Sequence, residues 1–241
     1  MTLIFLRLLL AHILADFLLQ SNKMVKEKLE KKIASKQLYL HILFHVLCYY
    51  LLLWDLNWWF IPLLIGLSHY LIDLGKLYLQ NPKNSRLLFF IDQGLHLIIL
   101  YGASVYLSGA ELLNFTLSSQ LLLIIVLVIF LTQPSSVIIK TLISVYTPNT
   151  EMEKEDSLHN AGKYIGMLER LLVFVFIASN HWEGVGFLIA AKSIFRFSDL
   201  TQAKDRKLTE YILIGTLLSF GLAMICGLIF IYMLMNHKIA W

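Results

Sequence analysis

Four pairs of polar residues, each spaced i, i+4, interrupt the apolar runs of the first hundred residues. They are His12 and Asp16, His41 and His45, His69 and Asp73, and Asp92 and His96. That spacing puts both members of a pair on one helix face, one turn apart. The surrounding residues are Leu, Ile, Phe and Tyr, in runs close to the roughly 20 residues that cross a bilayer. A charged side chain at bilayer depth costs about 2.5–3.5 kcal/mol or more, so four such pairs need a shared reason.

Composition supports the membrane setting. Of 241 residues, 15% are charged and 58% hydrophobic, with a mean hydropathy of +0.71. Soluble domains carry about 25% charged residues. The expected fold is all-α, a polytopic transmembrane bundle of about eight helices. The expected spans are residues 3–21, 37–54, 58–79, 87–107, 117–140, 161–179, 183–197 and 209–235, the seventh short enough to be tilted or re-entrant. The opening run, MTLIFLRLLLAHILADFLLQ, shows no small-x-small cleavage site and is read as the first retained span. Cys48 and Cys226 lie inside apolar segments and read as buried thiols, not a disulfide framework.

The net charge of +4 resides in loops and sets topology; it does not indicate a nucleic-acid partner. The segment Ser21 to Lys36 holds six lysines against two glutamates. Lys83 and Arg86, then Lys140, Lys154 and Lys163, then Lys204, Arg206 and Lys207 mark three further basic loops, whereas the alternate loops near Asp55, Glu111 and Asn180 carry none. Positive-inside bias therefore expects both termini outside and the basic loops in the cytoplasm. The polar stretch 144–160, with Pro148 and an acidic run, is expected to be a cytoplasmic connector between a five-helix bundle (1–143) and a three-helix bundle (161–241).

This topology rests on lysines and arginines alone, so it tests the His/Asp pattern independently. At 1.5 Å per residue, Asp16, Asp73 and Asp92 lie roughly 9–10 Å from the cytoplasmic helix ends, and His12, His69 and His96 roughly 15–16 Å. The order His-then-Asp in the inward first and third helices becomes Asp-then-His in the outward fourth. Three helices thus present a carboxylate layer with an imidazole layer one turn deeper.

Imidazole and carboxylate together suit a divalent transition metal such as Zn, Fe or Mn. His12, His69 and His96, with Asp16, Asp73 and Asp92, are the expected metal ligands. The three aspartates would alternatively orient the imidazoles or act as catalytic base. One metal with supporting carboxylates and two metals both remain open. So do two other readings: His–Asp pairing as helix–helix glue, and a proton or ion path. His41 and His45 stand among Phe44 and Tyr49 and are weighed more toward packing than ligation. Gln20, Lys76 and Gln93 flank the pairs, and Lys76 could salt-bridge Asp73, snorkel to the interface or bind an anionic group.

In the second half, GKYIGMLERLL sets Glu169 and Arg170 about 12 Å into the sixth span, and AAKSIFRF sets Lys192 and Arg196 at the end of the seventh. A Glu169 pair with Lys192 or Arg170 would lock helices together; alternatively, Lys192 and Arg196 would receive a phosphate or carboxylate headgroup.

With HILADFLLQ, HYLIDLGK, DQGLH, GKYIGMLER and AAKSIFRF in view, the chain resembles a bacterial inner-membrane family, domain of unknown function 3307. Its His/Asp pattern is more loosely similar to membrane-bound metal-dependent hydrolases. The resemblance implies a bacterial cytoplasmic membrane location and no specific activity. If the pocket is catalytic, a metal would activate water against an ester or phosphoester of a lipid or isoprenoid-type substrate. Lys76, Lys192 and Arg196 would then bind that substrate. The rival expectations are an ion-coupled transporter and a non-catalytic scaffold whose lysine-rich loop binds membrane lipids.

Overall fold

A computed structural model describes residues 2–109, 118–147, 161–202 and 206–236. Most of the expected 144–160 connector lies outside these residues. The described residues are all helical or in short connections, and they fall into two compact units, 1–126 and 127–241.

The first unit is a ring of four long helices. Helix α1 (Thr2–Ile13) packs on α3 (Lys36–Leu53), α3 on α4 (Phe60–Leu79), α4 on α5 (Ser85–Tyr106), and α5 back on α1. The short helix α2 (Asn22–Lys31) packs against α3 and turns 82° from the first helix. Ser21 caps it, its hydroxyl accepting from Met24 N–H at 3.3 Å.

One end of the ring is mainly apolar, although Arg7, Asp55 and Ser104 are also buried there. Ile4, Leu8 and Ala11 meet Tyr49 and Leu53, Ile61 and Ile65, and Leu100 and Leu107 in a single buried cluster. These come from the start of α1 and α4 and from the end of α3 and α5, so neighbouring helices run in opposite directions. The other end gathers the remaining halves, and there the buried residues are polar: His12, Lys28, His41, His45, His69, Asp73, Asp92 and His96.

The outside of the ring inverts the usual arrangement of a soluble protein. Leu43, Leu47 and Leu51 on α3, Leu63, Leu67 and Leu71 on α4, and Leu95 and Ile98 on α5 are exposed. Polar groups inside and a continuous leucine surface outside suit a hydrocarbon solvent. Among the described residues, four helices are long and apolar enough to cross a membrane: α3, α4, α5 and the last helix, α10 (Arg206–Asn236). The number rises to six if two bent helix pairs each count as one span. The eight spans expected from hydropathy are therefore met by four to six. Helices α8 (Ala161–Ala178) and α9 (Trp182–Gln202) carry too much charge along their length to join them.

The second bent pair is α6 (Ser119–Phe130) and α7 (Gln133–Ile143), which meet at 44°. Hydropathy reads them as one continuous span. Pro134 explains the break, because it has no N–H to donate to the carbonyl of Phe130. Ser135 takes over that role, its hydroxyl donating to Phe130 C=O at 2.6 Å.

In the second unit α8 packs on α7, α9 and α10. Its Arg170 is buried and closes the break: Nε donates to Leu131 C=O at 2.7 Å and the guanidinium also to Thr132 C=O at 3.0 Å and Ser136 Oγ at 2.7 Å. A fourth bond reaches Ser219 Oγ of α10 at 3.2 Å. Every one of these acceptors is neutral, so Arg170 acts as a fork that ties the backbone carbonyls at the break to α8 and α10, and Thr132 C=O also accepts from Ser136.

Candidate metal centre

All eight residues of the four pairs converge at the polar end of the ring. A deeper layer is made of rings: His45 lies 3.7 Å from His69 between ring centroids, and His69 3.9 Å from His96, nearly parallel. His12 closes the group from α1, with centroids 5.2–5.7 Å from those of His45, His69 and His96. The second layer holds Asp16, His41, Asp73 and Asp92. The layering expected from helix direction is present, with one addition. His45 is a full member of the imidazole layer and His41 sits among the carboxylates.

Asp16 is the hub. His45 Nε2 lies 3.0 Å and His41 Nε2 3.1 Å from its Oδ1, with His69 Nε2 at 3.5 Å; His12 Nε2 is 3.6 Å from Oδ2. Its position comes from an unexpected turn. The first helix is α-helical only to Ile13 and continues as a π-helical turn over Leu14–Leu18, closed by Leu19 N–H on Leu14 C=O at 2.9 Å. A π-turn inserts one residue per turn and is common at functional sites. Here it carries Asp16.

Neutral amides and two lysines complete the second layer. Gln20 donates to the His41 ring at 3.0–3.1 Å, and Gln93 donates to Asp16 Oδ2 at 2.9 Å. Lys76 reaches Asp92 Oδ2 at 2.8 Å and Lys28 reaches Asp73 Oδ2 at 2.9 Å. A salt bridge from Lys76 to Asp73 on its own helix was one of three roles left open, beside snorkelling and anion binding; the ammonium reaches across to Asp92 on α5. Lys28 is a residue of the cluster that the sequence did not single out, standing as one of six lysines in a loop expected in the cytoplasm. Its only signal is that it shares the buried face of α2 with Met24, four residues earlier.

Some buried atoms are left without a hydrogen bond among the described residues: His12 Nδ1, His45 Nδ1, Asp92 Oδ1 and His96 Nε2. Buried polar atoms are normally satisfied, and such exceptions point to a function or a ligand. Three groups bring their ligand atoms within 4.8 Å of one another: His12, Asp16, His45 and His69; His41, His69 and Asp73; and Asp73, Asp92 and His96. The His/Asp donor set fits a divalent transition metal. All six expected ligands fall in these groups, and His41 and His45 join them.

The second-half candidates belong to the other unit. Lys192 Nζ lies 2.5 Å from Glu169 Oε2, the pairing expected as a helix lock, and over the Phe220 ring at 5.5 Å. Arg196 falls outside the residues whose side chains are described.

Comparison with known proteins gives one result. The model of the family described as protein of unknown function (DUF3307) matches residues 4–124, which is the four-helix ring and the start of α6. The match stops before GKYIGMLER and AAKSIFRF, the two second-half stretches on which the resemblance also rested. No curated protein and no solved structure matches.

Proposed function

Because this chain belongs to the DUF3307 family, whose description assigns no activity, we propose a function from the geometry. The first unit is an intramembrane divalent-metal centre, serving hydrolysis of an ester or phosphoester in a lipid or isoprenoid-type substrate. The observation that carries this reading is the group His12, Asp16, His45 and His69. Four donors from α1, the π-turn that follows it, α3 and α4 converge within 4.8 Å, and none of them is paired with a lysine among the described residues. His12 and His45 turn Nε2 toward Asp16, which is oriented by Gln93 and His41.

A bound metal would supply Lewis acidity at that point. The chain's own part is to hold the donors rigid and to exclude bulk water by the packed apolar end. Lys76 is the less buried of the two site lysines, with 24% of its side chain exposed, and is the cation placed to meet an anionic headgroup. The loops at the polar end carry Lys23, Lys26, Lys31, Lys32 and Lys83, whereas the 54–59 connection at the apolar end has no Lys or Arg. That distribution supports a site open to the cytoplasmic leaflet of a bacterial membrane with both termini outside.

The test is elemental analysis of the full chain in mild detergent, purified without a histidine tag, beside a His12→Ala, His45→Ala variant. Tightly held Zn, Fe or Mn that falls by one equivalent in the variant supports the reading. Folded wild type that binds no metal after reconstitution overturns it. An ion-coupled carrier is the second reading, and it draws on the buried Lys28–Asp73 and Lys76–Asp92 pairs. It would take over on that negative result.

A further inference from the structure

We propose a second metal position beside the first, formed by Asp73 and Asp92 with His96, so that the ring holds a two-metal centre. This inference rests on the metal-centre reading and extends it. The second group shares no residue with His12, Asp16, His45 and His69. His96 Nε2 stands 3.5 Å from Asp92 Oδ1 and 3.7 Å from Asp73 Oδ1. These separations are too long for hydrogen bonds. They match the spacing of two ligands on one tetrahedral ion, about 3.3–3.6 Å for bonds of about 2.0–2.2 Å. Two of the three atoms, Asp92 Oδ1 and His96 Nε2, are buried with no hydrogen bond among the described residues.

The lysines fit this assignment. Each holds the outer oxygen of one carboxylate, Lys28 on Asp73 Oδ2 and Lys76 on Asp92 Oδ2, which turns the Oδ1 atoms toward His96. That is the role of a supporting hydrogen bond on a metal-ligating carboxylate. The two positions adjoin: His69 of the first group lies 3.8 Å from Asp73 Oδ1 and stacks on His96. His41 stands between them, 3.1 Å from Asp16 Oδ1 and 3.6 Å from Asp73 Oδ2.

Charge then names the substrate class. Three carboxylates face two ammonium groups, leaving one net negative charge before any metal binds. Two divalent ions would reverse that to an excess of positive charge in a low-dielectric setting. A phosphate group bridging the pair would offset part of it, which is the usual substrate chemistry of two-metal hydrolytic sites. Of the ester classes open to the first position, the two-metal centre selects the phosphoester.

The test loads the full chain, in detergent and without a histidine tag, with Mn(II) as the only metal, with and without inorganic phosphate. Two equivalents per chain are expected, with an electron paramagnetic resonance spectrum showing exchange coupling between neighbouring ions. His96→Ala should hold one equivalent with an uncoupled six-line signal. Asp92→Asn, which keeps the side-chain volume, serves the same purpose if the alanine variant does not fold. The second equivalent should bind at least tenfold more tightly with phosphate present. One equivalent in wild type, unchanged by either variant, overturns the second position and leaves the first standing. No metal in folded wild type overturns both. Two equivalents with equal affinity in both buffers overturn the phosphate assignment.

Discussion

Each unit buries cations inside an apolar exterior, and the two handle them differently. In the second unit Arg170 donates to four neutral oxygens, two of them carbonyls at the Pro134 break. In the first, Lys28 and Lys76 each satisfy one oxygen of a carboxylate, and Asp92 Oδ1, His96 Nε2 and the Nδ1 atoms of His12 and His45 have no hydrogen bond among the described residues. A group that mends the backbone spends four of its five N–H donors on neighbours. A group built for a ligand keeps donors in reserve, at a cost in stability that the ligand offsets.

The comparison predicts its largest effect at Arg170. Replacing it by leucine removes the partner of the Leu131 carbonyl and of the Ser219 hydroxyl, while Thr132 C=O keeps its bonds from Ser136; each buried polar group left unpaired costs about 1–3 kcal/mol. Arg170→Leu should therefore lose about 2–6 kcal/mol and with it much of the folded population, read by denaturant titration followed through tryptophan fluorescence. Arg170→Lys should recover part, since an ammonium can meet fewer of the four acceptors at once. Full stability in the leucine variant would remove the contrast on which the first unit's reading depends.

Next in size is the metal itself. An ion binding only the folded chain, at a hundredfold above its Kd, adds about 2.7 kcal/mol. Wild type should gain that increment at the His12/Asp16/His45/His69 position on addition of Zn(II) or Mn(II), and the His12→Ala, His45→Ala variant should lose it. The same denaturant titration, run with and without metal, measures both. Equal gains in wild type and variant would mean that the ion binds elsewhere.

How much of this was legible in the sequence follows the range of the interactions. The pairs His12/Asp16, His69/Asp73 and Asp92/His96 are local, fixed by helix period, and their layering followed from loop charges. His45 was underweighted because aromatic neighbours suggested packing, although its i, i+4 relation to His41 carried the same signal as the other pairs. The π-turn at Leu14–Leu18 has no counterpart in hydrophobic periodicity. Lys28 lies 45 residues from Asp73, and nothing near either residue announces the other. The span count is met only in part for two reasons: a hydropathy window sums α6 and α7 across the Pro134 break and cannot see the 44° bend, and it passes over the charges carried by α8 and α9. Pro134 inside an apolar run, with one arginine in a neighbouring helix, was the available hint.

Lys76 sharpens the comparison at smaller scale. Lys76→Met removes the ammonium that holds Asp92 Oδ2 and turns Oδ1 toward His96. Metal affinity at the second position should fall about tenfold, or about 1.4 kcal/mol. Isothermal titration on the full chain checks this, and tighter binding in the variant would mean that Lys76 competes for Asp92 more than it positions it.

The smallest effect belongs to Glu169 and Lys192. Their atoms are as close as those of any ion pair among the described residues, 2.5 Å, yet the two side chains keep 18% and 29% of their surface open. Partly exposed pairs contribute about 0.2–1 kcal/mol, because solvent screens the attraction and two long side chains lose freedom. A double-mutant cycle with Glu169→Gln and Lys192→Met should return a coupling energy in that range by denaturant titration. The same cycle with Asp73→Asn and Lys28→Met tests a pair with 8% and 7% exposure and should return a larger value, since breaking a buried pair leaves an uncompensated charge. If the two cycles agree, distance sets the strength of these pairs. If the second is larger despite its longer 2.9 Å separation, desolvation sets it, and the lysine–carboxylate pairs of the ring are strong enough to fix the free oxygens where a metal would need them.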